Sequence, residues 1–174
     1  MQASRVLGPI LVTAGFLAGA LSSNPAPKVA VTPFELWDLT QMTGGEAEAA
    51  RTASLQGSLS ERLAHGVTRY QASELDPSLT EAASRGGFGY LFEHDDVAAE
   101  LGRSVDADVI AVGRIQKPSF LFAYLMVHLV DTRSGERIGA FSVEVKGQQG
   151  PATERGIERL GRQIEAKLAE HFEG

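Results

Sequence analysis

Hydrophobic and polar positions along the chain fall into two periods, and each period predicts a different kind of element. Ile157, Leu160, Ile164, Leu168 and Phe172 recur every three or four residues, with Glu158 and Arg162 four apart on the other side. That spacing predicts an amphipathic helix that closes the domain. Leu55, Leu59 and Leu63, in the Ala- and Glu-rich stretch 44–65, predict a second helix ending near Gly66, and Val97, Ala98 and Leu101 a shorter one. Val29, Val31 and Phe34 lie in a strand-like run in which Pro33 removes a ladder donor, predicting an edge position or a local bulge. A short strand is expected over 67–72. Val109 to Val112 reads as a central strand buried on both faces. The apolar run 120–130 reads as a long core strand, and residues 131–135 as a turn. Residues 137–146 alternate as its antiparallel partner.

The resulting order, β-α-β-α-β-β-β-α, predicts an α/β (α+β) domain: a mixed sheet of about five strands with helices packed on it. The domain is expected over 28–174, after a Pro-containing spacer at 21–27. The start of the chain reads as a signal peptide over 1–20: Arg5 precedes an apolar run from Val6 to Leu21, shorter than a bilayer span, with small residues at Ala18, Gly19 and Ala20. Export to the periplasm, with no membrane span after cleavage, is the expectation. The 174 residues carry a formal charge of −6 and no cysteine. Scattered basic residues on an acidic chain argue against nucleic acid, and thiol chemistry and disulfides are excluded. Loss of the leader, which holds one basic residue and no acid, takes the charge from −6 to −7.

Candidate catalytic groups are few. Glu93, His94, Asp95 and Asp96 contain metal-ligating side chains, but adjacent residues at a helix start point in different directions, and acids are favoured there by the helix dipole. His65, His128 and His171 show no ligand spacing. Asp106-Ala107-Asp108 reads as turn chemistry, and Gly86-Gly87-Phe88-Gly89 as a flexible loop without a phosphate-loop context. No catalytic residue, metal or cofactor is therefore assigned.

Ala107 to Gly113, then Ile115-Gln116-Lys117 and the hairpin Val130-Asp131-Thr132 with Gly135, resemble an uncharacterised family of small periplasmic proteins. Pro33-Phe34-Glu35-Leu36 with Asp38, Lys146-Gly147 and Arg155-Gly156 extend the resemblance over most of the chain. The family in turn resembles, in fold, the amino-terminal domain of TolB and the CsgG and LpoB class of envelope interaction modules. Pro118 stands where the family has an apolar residue, Phe120 where it has Asn, and the cysteines of its middle helix are absent. The resemblance implies a non-enzymatic interaction or accessory module with an envelope protein as partner. A cofactor-binding accessory for a periplasmic quinoprotein alcohol dehydrogenase is a second possibility, and a metal-dependent enzyme using His94 a third. The polar stretch 116–119 interrupts two apolar strands, so the chain is expected to turn there and present its side chains to solvent. Gln116, Lys117 and Ser119, which match the family's Gln-Lys-x-Ser, are the candidate partner-binding residues, with Arg155 at the last helix start beside them.

Overall fold

The computed structural model describes residues 26–40, 45–67, 70–147 and 150–174. The expected leader and its cleavage point lie outside them. In chain order the elements are β1 (Lys28–Val31), β2 (Glu35–Asp38), α1 (Glu46–Ala64), β3 (Gln71–Ser73), α2 (Pro77–Ala83), α3 (Tyr90–Glu93), α4 (Asp95–Ser104), β4 (Val109–Lys117), β5 (Phe122–Asp131), β6 (Arg137–Lys146) and α5 (Gly150–Glu173). The strands form one sheet in the order β3-β1-β4-β5-β6, with β2 also paired to β4. Pairing is parallel among β3, β1, β4 and β2 and antiparallel from β4 through β5 to β6. The mixed sheet with helices is thus present, with six strands among the described residues where about five were expected.

The extra strand arises at Pro33. The first apolar run is divided into β1 and β2, which lie in line along β4 and pair with Val109–Ala111 and Arg114–Lys117 of it. Proline cannot donate to a ladder, so the pairing breaks there. Thr32 spans the gap: its N–H donates to the Ala111 carbonyl at 2.9 Å, and its hydroxyl accepts from Gly113 N–H at 3.2 Å. Phe34 then lies over Gly113, where a Cβ would come within 2.5 Å of the ring. The edge position expected for the first run is corrected, because β1 lies between β3 and β4. The strand expected over 67–72 is also corrected: β3 begins at Gln71, and Val67 is exposed.

Alternation along β4 and β5 sends successive side chains to opposite faces. Val109, Ala111, Ile115, Leu125, Val127 and Leu129 point toward Leu55, Leu59 and Leu63 of α1 and Ile157, Leu160, Ile164 and Leu168 of α5, all buried. Each fully buried Leu or Ile contributes about 2 kcal/mol. Phe172, expected in this seam, is 39% exposed in the last turn of α5. On the other face Ile110, Val112 and Val130 meet Ala98, Ala99 and Leu101 of α4 and Leu91 and Phe92 of α3. A bulge at Leu129/Val130 leaves Ile138 unpaired, and it packs with Phe141 against the first core. Among the described residues no helix is long and apolar enough to cross a membrane.

Candidate functional site

Among the described residues, the second face is covered over only half its length. Helices α3 and α4 lie over the end of β4 and β5 near Ile110 and Val130. Toward the other end, the register aligns Glu35, Arg114, Met126 and Ser142 in one row across β2, β4, β5 and β6, and Trp37, Gln116, Tyr124 and Glu144 in the next. Phe122 follows, its ring edge-on to Tyr124 at 5.7 Å. Trp37 is 40% exposed, Phe88 61%, and Phe120 and Leu121, in the turn that ends this half of the sheet, 49% and 77%.

Arg114 lies at the floor of this region, with its side chain only 6% exposed. Its guanidinium is 4.0 Å from the Phe92 ring centroid, 5.6 Å from Trp37 and 5.7 Å from Phe88. It donates to Glu93 Oε1 at 3.1 Å, to Glu35 Oε2 at 3.5 Å and to the Gly89 carbonyl at 3.4 Å. Glu35 in turn accepts from Gly89 N–H at 3.1 Å. Gly89 has φ +79°, and a Cβ there would lie 2.8 Å from Arg114 Nη2, so two independent constraints require glycine. The glycine-rich loop, expected to be flexible, is built around the arginine. Together Trp37, Phe88, Tyr90, His94 and Glu93 wall an open cleft over Arg114. Two carboxylates against one guanidinium leave an excess of negative charge.

Three residues along the same strand, Lys117 faces the other way. Its ammonium donates to Glu48 Oε2 at 3.0 Å and Asp38 Oδ2 at 3.3 Å, and Glu48 also pairs with Arg51. Burial alone would push the Asp38 carboxyl up, but hydrogen bonds from the hydroxyl and N–H of Thr40 and from Lys117 hold it below its ordinary value. Lys117 is therefore corrected: it is 5% exposed and pins β2, β4 and the start of α1 together, because the strand continues through it before the chain turns. Gln116 is likewise within β4, half-buried on the open face between Trp37 and Tyr124. Ser119 lies in the turn, its hydroxyl accepting from Leu121 N–H at 3.2 Å. Arg155 is exposed on α5, the helix packed on the opposite face. The fold brings Gln116 and Ser119 to one end of the sheet and does not bring Lys117 or Arg155 to their side.

The acids beside His94 diverge. Glu93 turns to Arg114, and Asp95 binds Arg137 at 2.9 Å. His94 itself stacks on Tyr90 at 4.0 Å, its Nδ1 2.8 Å from the Tyr90 carbonyl. Among the described residues no group of three His, Asp or Glu side chains is arranged to hold a metal ion. His128 is buried against Phe92 at 3.8 Å; its Nδ1 is 3.0 Å from the Phe92 carbonyl, with Arg137 at 3.4 Å from Nε2. Burial, reinforced by the Arg137 charge, lowers its pKa below the ordinary value.

Arg114 and its aromatic neighbours escape a reading of the sequence for motifs. The available signal is a charge inside the apolar run VIAVGRIQK, at the inward-facing position of a strand buried on both sides. A charge there requires partners, and Glu35 and Glu93 are those partners.

A family model described as "Protein of unknown function (DUF2380)" matches residues 27–164. The chain belongs to that family. No curated protein matches it in sequence. Solved structures similar to it in fold include the lipoprotein GNA1162 from Neisseria meningitidis, at 16% identity and TM-score 0.49 over 81% of this chain and 97% of that one. The LpoB C-terminal domain from Salmonella enterica is 15% identical, with TM-score 0.45 over 72% and 87%. TolB from Acinetobacter baumannii is 13% identical, with TM-score 0.47 over 84% of this chain and 28% of that one.

Proposed function

We propose that this DUF2380 family member is a non-enzymatic interaction module of the cell envelope that docks a protein partner on the uncovered half of its second sheet face. The observation that carries the reading is the exposure of Trp37, Phe88, Phe120 and Leu121 around one end of a sheet whose other face is packed under α1 and α5. Large aromatic and apolar side chains grouped on a surface mark sites of association, whereas single ones are ordinary. The engagement of Glu93 and Asp95 by arginines supports a binding role over chemistry at His94. The leader-like start, Arg5 before the apolar run 6–21, supports export, and by intact mass the chain recovered from a periplasmic extract is expected to begin at Leu21.

The double variant Trp37→Ala, Phe88→Ala tests the function. Both side chains project from the surface, so the variant should melt within a few degrees of the parent. In size fractionation of a gently prepared envelope extract, the parent should elute in a complex well above the mass of the free chain and the variant as the free chain. Co-elution of the two at the same large size would contradict the proposal.

A further inference from the structure

We infer that the partner docks with a basic side chain, Arg or Lys beside an apolar residue, seated between Trp37 and Phe88 above Arg114 with Glu93 as its counter-ion. The inference rests on the docking reading above and adds the chemistry of the partner.

The walls of the cleft are aromatic faces, and their outer sides are exposed: Trp37 to 40% and Phe88 to 61%. Such faces attract cations through the ring quadrupole. Arg114 shows the preference from below, its guanidinium within 6 Å of both rings. It does not saturate the site, because it lies beneath them at 6% exposure. The charge balance points the same way. Glu35 is held on both oxygens, by Gly89 N–H and by Arg114, whereas Glu93 gives one oxygen to Arg114 while its side chain stays 61% exposed. An incoming cation meets that carboxylate directly. An incoming anion would meet the carboxylates of Glu93 and Glu35 before it reached the guanidinium, whose one unbonded nitrogen, Nε, is buried. The apolar neighbour of the basic residue has its own seat on the adjoining row, over Tyr124 and Phe122. The acidity of the whole chain, −6, draws a basic segment toward this surface.

Trp37 is the only tryptophan, so its fluorescence reports on this cleft alone. The test titrates the full chain with N-acetyl-Phe-Arg-amide, N-acetyl-Phe-Lys-amide and N-acetyl-Phe-Glu-amide. The two basic peptides are expected to give a saturable change, at least tenfold tighter than the acidic one and weakened by added salt. Glu93→Gln, at an exposed position, should weaken the basic peptides about fivefold and leave the acidic one unweakened. Equal or tighter binding of the acidic peptide, or no response to either basic peptide at millimolar concentration, overturns the inference. Loss of the large complex on Trp37→Ala, Phe88→Ala alongside such a result would leave the docking surface standing and remove only the basic partner. Retention of the complex would remove the surface itself.

Discussion

The two faces of the sheet are built from the same strands yet end in different states. One is covered by α1 and α5, and among the described residues its core holds twenty buried hydrophobic side chains against ten on the other. The second is closed only where α3 and α4 reach, and beyond them its rows end in Trp37, Tyr124 and Phe122. Strand β4 carries the contrast in two cations three residues apart. Lys117 is sealed under α1 by carboxylates at 3.0 and 3.3 Å, with side chains 7% and 15% exposed. Arg114 is held at 3.5 and 3.1 Å by carboxylates that are themselves 24% and 61% exposed, and its Nε has no partner among the described residues. Buried charge on the closed face fastens elements together. On the half-open face it leaves a surface that a partner can complete.

The largest expected effect sets Val127 against Tyr124 on the same strand. Val127→Asp places an unpaired carboxylate among α1 and α5 and should cost about 4 kcal/mol in urea unfolding; Tyr124→Asp, on the open face, should cost less than about 1 kcal/mol. Equal losses would erase the distinction between the faces. Next come the two cations. Lys117→Met leaves buried Glu48 and half-buried Asp38 with only Arg51 and Thr40 as partners, for a loss of about 3 kcal/mol, whereas Arg114→Met frees Glu35 and Glu93 to reach water, for about 1 kcal/mol.

A pH series sharpens the boundary between the covered and open halves, where His128 packs beneath Phe92. Its folded pKa is lowered, so the unfolded chain binds the proton more readily. Stability is then fully present above the unfolded value of about 6.5 and declines as pH falls toward the folded one. His128→Gln should flatten the melting temperature in that window. It should leave the further loss below about pH 4, where Asp38 and Asp131, both held below their ordinary values, take up protons. An unchanged slope in the variant would assign the window to other groups. The smallest effect on stability is expected for Trp37→Ala, under about 1 kcal/mol by denaturant melt, since much of the ring faces solvent already.

Periodicity made the closed face legible. Leu55, Leu59 and Leu63, and Ile157, Leu160, Ile164 and Leu168, announce two helices with one apolar stripe each, and those stripes meet in the core. The hairpin from β5 to β6 was readable for the same reason, from an apolar run, a turn and an alternating run. What escaped depends on long-range register. The division at Pro33 makes two strands from one run only because β4 is long enough to pair with both. Lys117 and Gln116 look like a loop when polarity is read locally, but β2 and β5 extend the ladder through them. The cleft over Arg114 gathers residues 35, 37, 88, 93 and 114 from four segments, a juxtaposition that no local spacing encodes.

Site-specific photo-crosslinking tests the central claim most directly. A photoreactive residue replacing Leu121, 77% exposed at the open end of the sheet, is compared in living cells with one replacing Arg162 on the outer side of α5. The account predicts a discrete crosslinked species from position 121 that is lost when Trp37→Ala and Phe88→Ala are added, and none from position 162. The same species from both positions, or from position 162 alone, would contradict it.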